Sequence, residues 1–248
     1  MPIRSRLLTV GLMTFVVALV IFFPARVAYR WFAPDTVSLA GIEGSIWSGN
    51  AREAQVNKIY LRDLVWRMQP VSFLTGKLGY AIEASPTSGF IDADVALGVT
   101  GTVTLSDVKA SLSMQYLQAL QQSTGTRGLS GKLSAQFDRL VIDDGLPIAA
   151  DGVLEVADLV APMVHRSSIG GYRAEFFTQD SGVMASVEDT DGVIDLAGSL
   201  QISSDRSYQF IAQLAPKNNT PASVRQQMTF LGSANERGQH ELRLEGQL

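Results

Sequence analysis

Hydrophobic and polar residues follow two different rhythms along the chain. Leu7 to Phe23 (LLTVGLMTFVVALVIFF) runs without a charge. Beyond Pro34 apolar and polar positions alternate, the period of half-buried strands. Val103 and Leu105 share one phase, which slips at Asp107 before Val108, Ala110, Leu112 and Met114 resume it. Leu133, Ala135 and Phe137 slip in the same way at Asp138–Arg139, ahead of Leu140 and Ile142. Slips of one residue inside an alternating run read as β-bulges. Turn residues separate the runs at Thr87–Ser88–Gly89, Asp143–Asp144–Gly145, Asp191–Gly192 and Glu236–Arg237–Gly238. Their spacing predicts antiparallel strands with short connections.

A short unit, Leu-x-Gly-x-aliphatic, recurs at Leu74–Leu78, Leu129–Leu133, Leu196–Leu200 and Leu244–Leu248, loosely at Leu39–Ile42, and as a variant at Val99–Val103. In a strand the two ends and the glycine share a face. A glycine there removes bulk where a sheet bends or another segment crosses closely. The pattern fits a bent sandwich and equally a curved sheet with an apolar concave face. Two helices are expected in the body. Ser113–Gln122 has helical spacing of Met114, Leu117 and Leu120. In Thr220–Gly232, Thr220 is placed to cap, Pro221 to start, and Val224, Met228 and Leu231 to dock. Trp47 and Trp66 are expected to point inward from the first strands, and Arg62 and Arg67, five apart, to take opposite strand faces.

As one helix the Leu7–Phe23 run would be about 26 Å long, at the short end for a bilayer core of about 30 Å. Arg4 and Arg6 precede it, and Tyr29 and Trp31 follow as interfacial residues. A cleaved signal peptide shares the basic start and apolar run, but Phe22, Phe23 and Pro24 stand where small residues are needed, which favours an uncleaved anchor. Residues 24–32 are expected to continue that helix, with Pro24 bending it or marking a break. The expected organisation is a cytoplasmic stretch at 1–6, a transmembrane signal anchor at 7–23, a juxtamembrane segment at 24–33 and a mainly β domain at 34–248. Charge follows this division. Residues 1–33 hold Arg4, Arg6, Arg26 and Arg30 and no acid, so of 20 basic and 24 acidic groups, 16 and 24 remain in the body, a net of −8. The basic start favours a cytoplasmic N-terminus and a periplasmic body.

The body is too apolar for disorder and lacks the basic excess of a nucleic-acid binder. With no cysteine, thiolate metal sites, disulfides and cysteine nucleophiles are excluded. His165 and His240 are the two histidines, and neither has a nucleophile elbow to support it; Gly44–Ser45–Ile46–Trp47–Ser48–Gly49 has the wrong spacing. Asp92 and Asp94 should share a strand face, and Asp189–Thr190–Asp191–Gly192 resembles the start of a calcium loop without its later glutamate. Acidic turns and solvated faces account for both. No catalytic, cofactor or metal residue is assigned.

Three stretches carry a family resemblance: LRDLVWRMQPVSFLTGKLGY at 61–80, GLSGKLSAQFDRLVIDDGLPIAADGVLEVADL at 128–159, and the LGSANERGQHELRLEGQL ending. Together with the apolar N-terminal run and GIEGSIWSG, their order resembles protein N of the bacterial type II secretion system, in the general secretion pathway. That resemblance implies a non-enzymatic, single-pass inner-membrane accessory subunit facing the periplasm, with other inner-membrane subunits of the machine as partners. The repeated glycine-punctuated strands behind an anchor also resemble AsmA-like envelope proteins. Those imply an apolar groove for lipid binding or transfer.

Overall fold

The computed structural model describes residues 3–33, 36–56, 59–86, 88–115 and 128–248. The expected helix at 113–122 falls mostly on residues outside these. The chain begins with helix α1 (Ile3–Ile21). Its uncharged helical portion, from Leu7, is about 22 Å long at 1.5 Å per residue. Among the described residues no helix is long and apolar enough to cross a membrane. Pro24 breaks the helix: its backbone is extended, and it forms a β-bridge with Ser45. A separate helix, α2 (Ala25–Phe32), follows.

Thirteen strands then form one antiparallel sheet: β1 (Val37–Gly44), β2 (Ser48–Val56), β3 (Ile59–Gln69), β4 (Lys77–Pro86), β5 (Gly89–Gly98), β6 (Val103–Ser113), β7 (Ser130–Asp143), β8 (Leu146–Val160), β9 (Tyr172–Gln179), β10 (Gly182–Asp189), β11 (Ile194–Ser203), β12 (Ser207–Pro216) and β13 (His240–Gln247). Each pairs with its neighbours in sequence, so the sheet is a single meander. It is open, with β1 and β13 at its edges.

Cross-strand register carries the alternation read from sequence across the whole sheet. One row links Ala84, Ile91, Ala110, Ala135, Leu154, Ala174, Val187, Gly198, Ala212 and Leu242. The adjacent row, on the opposite face, links Glu83, Asp92, Lys109, Gln136, Val153, Glu175, Ser186, Ser199, Ile211 and Arg243. One face is therefore apolar and the other largely polar, because facing residues in a ladder share a side.

The phase slips are bulges. Asp107 adopts a left-handed backbone (φ 50°), and the β5–β6 register shifts opposite it. The β7–β8 register shifts between Phe137 and Arg139, at the second slip. Asp63 (φ 49°) and Asp158 (φ 53°) mark further register breaks. Aspartate tolerates this conformation better than bulkier residues do, and each bulge returns the next aliphatic residue to the apolar side. The bulge at Asp63 also corrects an expectation. Arg62 and Arg67 face Ser85 and Ala81, four apart on β4, so both lie on the polar side.

The Leu-x-Gly unit is not one structure. Gly198 lies in β11, where an added Cβ would come 2.8 Å from Ala212 Cβ, and Gly246 lies in β13 beneath the Tyr208 ring. Gly131 sits at a register shift of β7. These serve close approach or bending, as expected. Gly76 and Gly101 instead have left-handed backbones (φ 69° and 90°) in the connections before β4 and β6. Gly76 ends a 3-10 helix at Pro70–Thr75.

The apolar face is covered in two ways. Near β1–β3, Ala25 of α2 packs with Ile42 and Ala51, and Tyr29, Leu39, Leu64 and Trp66 close around them. In the other half the sheet curls over its own apolar side. Phe137 of β7, Ala150 of β8 and Val183 of β10 form one cluster, with the Phe137 and Phe176 rings 5.5 Å apart. In a flat sheet β7 and β10 would stand about 14 Å apart. Arg206 in the β11–β12 turn reaches Asp144 in the β7–β8 turn, donating to its carbonyl at 2.9 Å. That clasp again requires the curl.

The second expected body helix forms as α3 (Ala222–Met228), extended by a 3-10 turn at Thr229–Leu231 and ended by Gly232. Val224 and Met228 are buried as expected, whereas Leu231 is partly exposed. Thr220 does not cap it. Its hydroxyl donates to Val193 O at 2.5 Å and accepts from Lys217 N at 2.7 Å, pinning the helix's leading loop to the β10–β11 connection.

Candidate functional site

The residues with chemical potential are dispersed. His165 Nδ1 lies 3.0 Å from Ser223 Oγ, and His240 Nδ1 lies 2.9 Å from Gly232 O; both contacts are exposed. Each ties a connection to the α3 region. Asp92 and Asp94 share the polar face as expected, but Asp92 stands opposite Lys109, and Asp94 accepts from Gln69 Nε2 at 2.6 Å. Among the described residues, no three histidine or acidic side chains could hold a metal ion.

The acidic β10–β11 connection works as an internal brace. Asp189 accepts from Leu196 N at 2.8 Å and from Lys217 Nζ, and Asp191 accepts from Gly171 N. Burial acts to raise the Asp189 pKa, but the hydrogen bonds from Lys217 and Leu196 and the ammonium charge outweigh it and hold the carboxyl below its ordinary value. Nearby Tyr172 is pushed up by burial and then by the charges of Asp189 and Asp191. Among the described residues, every buried side-chain nitrogen or oxygen has a partner. The acidic connection is thus held by internal hydrogen bonds.

The recesses are more informative than the titratable groups. A cleft of about 340 Å³ separates α2 from the sheet, lined by Ala25, Ala28, Tyr29, Leu39, Ile42, Trp66 and Tyr80 among others. Burial raises the Tyr80 pKa. A second apolar cavity of about 280 Å³ lies within the curl, lined by Phe137, Leu140, Ile142, Ala150, Phe176, Val183 and Ile202 among others. A third hollow, about 560 Å³, lies on the polar face between Phe90, Lys109, Gln136, Glu155 and Arg173. The first two are lined largely by apolar side chains and can shelter hydrocarbon.

Trp66 points inward as expected, and its Nε1 donates to Ser45 O at 3.1 Å. Trp47 does not. It lies in the β1–β2 turn, and its Nε1 donates to Val20 O of α1 at 2.9 Å. Ile46 N donates to Phe23 O at 3.1 Å. The turn thus clasps the end of the first helix. Tyr29, expected as an interfacial residue, instead holds β1, and Arg26 joins it there. Arg26 Nε donates to Ile42 O at 2.7 Å, and the Tyr29 hydroxyl bridges Val37 O and Leu39 N, each at 3.1 Å.

Residues 35–243 match the family model described as type II secretion system (T2SS), protein N. Similar proteins include the type II secretion system protein N of Vibrio cholerae, 25% identical over 237 residues and covering 93% of each chain. That of Aeromonas hydrophila is 22% identical over 236 residues, again covering 93% of each. That of Pectobacterium carotovorum is 21% identical over 233 residues, covering 92% of this chain and 90% of its own. No solved structure matches the chain.

Proposed function

The chain belongs to the type II secretion system protein N family, and on that premise we propose that it is a non-enzymatic accessory subunit of the secretion machine. In this reading Leu7–Phe23 anchors it in the bacterial inner membrane as a single pass, and the sheet stands in the periplasm. It supports export of folded periplasmic proteins across the outer membrane through contacts with other inner-membrane subunits. The carrying observation is the family match over residues 35–243, with relatives aligned over nearly their whole length. The anchor reading draws on the exposed run of Leu12, Phe15, Val16 and Leu19 along α1. The shortfall of a 22 Å helix is of a size that local bilayer thinning and snorkelling arginines accommodate. Deleting the gene from a host with an active system, then measuring secreted against periplasmic substrate, tests the role. A loss of export restored by the plasmid-borne gene is expected, and unchanged export would sink it.

The unbroken apolar row from Ala84 to Leu242 and the cavity inside the curl favour a second reading, an AsmA-like lipid-binding or lipid-transfer surface. Each sheltered acyl methylene would contribute about 0.8 kcal/mol. A photoreactive phenylalanine analogue placed in cells at Phe176, beside the cavity, should then capture phospholipid, while one at Glu175 on the other face should not. Equal labelling at the two positions would remove this reading.

A further inference from the structure

One edge of the sheet changes character halfway along. It begins where α1 ends: Pro24 bridges Ser45, and the Trp47 indole donates to Val20 O. Met68 N donates to Trp47 O at 2.6 Å, which sets the β3–β4 connection beside that turn. Pairing of Lys77 with Gly98 then brings the β5–β6 connection alongside. Residues 70–76 and 99–102 (PVSFLTG and VTGT) carry no charge. They present Val71, Phe73, Leu74 and Val99 to the outside at 73%, 50%, 87% and 95% exposure. The next three connections on the same edge are charged: Asp144, then Asp180, then Asp205 with Arg206, whose guanidinium reaches back to Asp144. Apolar residues this exposed are unusual in hairpin connections, where water favours polar side chains.

We propose that the β3–β4 and β5–β6 connections form a rim that docks onto the lipid surface, inserting Phe73, Leu74 and Val99 among the head groups. The inference rests on the reading of α1 as a membrane anchor and adds a second point of contact to it. The clasp at Trp47 fixes the end of α1 to the same edge, so a membrane entered by α1 lies against that edge. The uncharged connections lie nearest the helix, and the charged ones follow beyond them. A bilayer attracts the first set by burying apolar area, whereas the charged second set is better solvated by water. The sheet would then be held at a defined tilt instead of swinging on a single helix.

The absence of cysteine makes a site-specific test direct. Single substitutions Val16→Cys, Leu74→Cys, Val99→Cys and Asp180→Cys in the full chain would each carry an environment-sensitive fluorophore. The protein would be reconstituted into vesicles of phosphatidylethanolamine and phosphatidylglycerol. Probes at 74 and 99 should shift to the blue, be quenched by lipid-borne nitroxide and lose quenching by aqueous iodide; the probe at 180 should do the reverse. Lipid quenching at 74 and 99 supports the rim whatever position 16 reports. Iodide quenching at 74 and 99 equal to that at 180, with position 16 in lipid, overturns the rim and leaves the anchor standing. Iodide quenching at 16, 74 and 99 together overturns both. Shielding of 74 and 99 from both quenchers would indicate a protein contact and also overturn the lipid rim.

Discussion

The two halves of the sheet solve the same problem with different covers. Every strand carries an apolar side that must leave water. Near β1–β3 the cover is a helix: Ala25 of α2 meets Ile42 and the wholly buried Ala51. A helix backbone can come close to a sheet only where side chains are short. In the β7–β11 region no helix is needed, because Phe137, Phe176 and Val183 fill the inside of the curl. Small and bulky residues occur in both clusters, Ala51 near Trp66 and Ala150 near Phe137, so what differs is the cover: a helix in one half and the sheet's own curl in the other.

The largest expected effect breaks the self-covered half. Phe137→Ala removes a ring that packs with Phe176 and lies among residues from five other strands, and should destabilise the protein by about 3–4 kcal/mol in denaturant titrations. A loss below about 1 kcal/mol would mean the curl does not depend on that cluster. The complementary change, Ala51→Leu, overfills the helix-covered half and should cost about 2 kcal/mol. It should also open tryptic cleavage after Arg26 and Arg30, while the β7–β11 region stays protected; unchanged cleavage would argue against close packing of α2.

Lys217→Met tests the brace that ties α3's leading loop to the curled half. It leaves the Asp189 carboxylate, 5% exposed, without its cation and should cost about 2 kcal/mol near neutral pH. Because the folded Asp189 pKa is lowered, its contribution is present above the unfolded value near about 4 and lost as pH falls through the folded value. The gap between wild type and variant should therefore close on acidification below about pH 4, and a gap constant with pH would show that the carboxylate is not responsible. The smallest effect belongs to Tyr29→Phe. Losing the bridge between Val37 O and Leu39 N should cost about 1 kcal/mol, seen as earlier hydrogen exchange of the Leu39 amide with little change elsewhere.

The strands were legible because period-2 alternation is a local property. Even the bulges showed, since Asp107 and Asp138 each displaced the phase by one residue. The opposite assignment of Arg62 and Arg67 failed for the same reason: strict alternation was counted through Asp63, and the bulge there was not recognised. The curl lay beyond reach because its contacts join strands three apart, and nothing in either strand names the other. Residues 25–32 were hidden by the run before them, which made α2 look like a continuation rather than a cover for β1–β3. Thr220 had a cap's position, but its hydroxyl found a stronger claim in Val193 O. The exposed apolar connections were visible as letters in PVSFLT, yet the Leu-Thr-Gly within them was assigned to a strand. His165 and His240 could be found in the sequence, but their neighbours, Ser223 and Gly232, could not, because those contacts form only in the fold.

A sheet whose strands pair only with their neighbours in sequence has a consequence for how it is made. Each new strand needs only the one before it, so pairing can advance hairpin by hairpin as the chain is delivered N-terminus first. No early strand has to wait, unpaired and sticky, for a distant partner to arrive. The growing edge is always the most recent strand, and that place passes in order from β1 to β13.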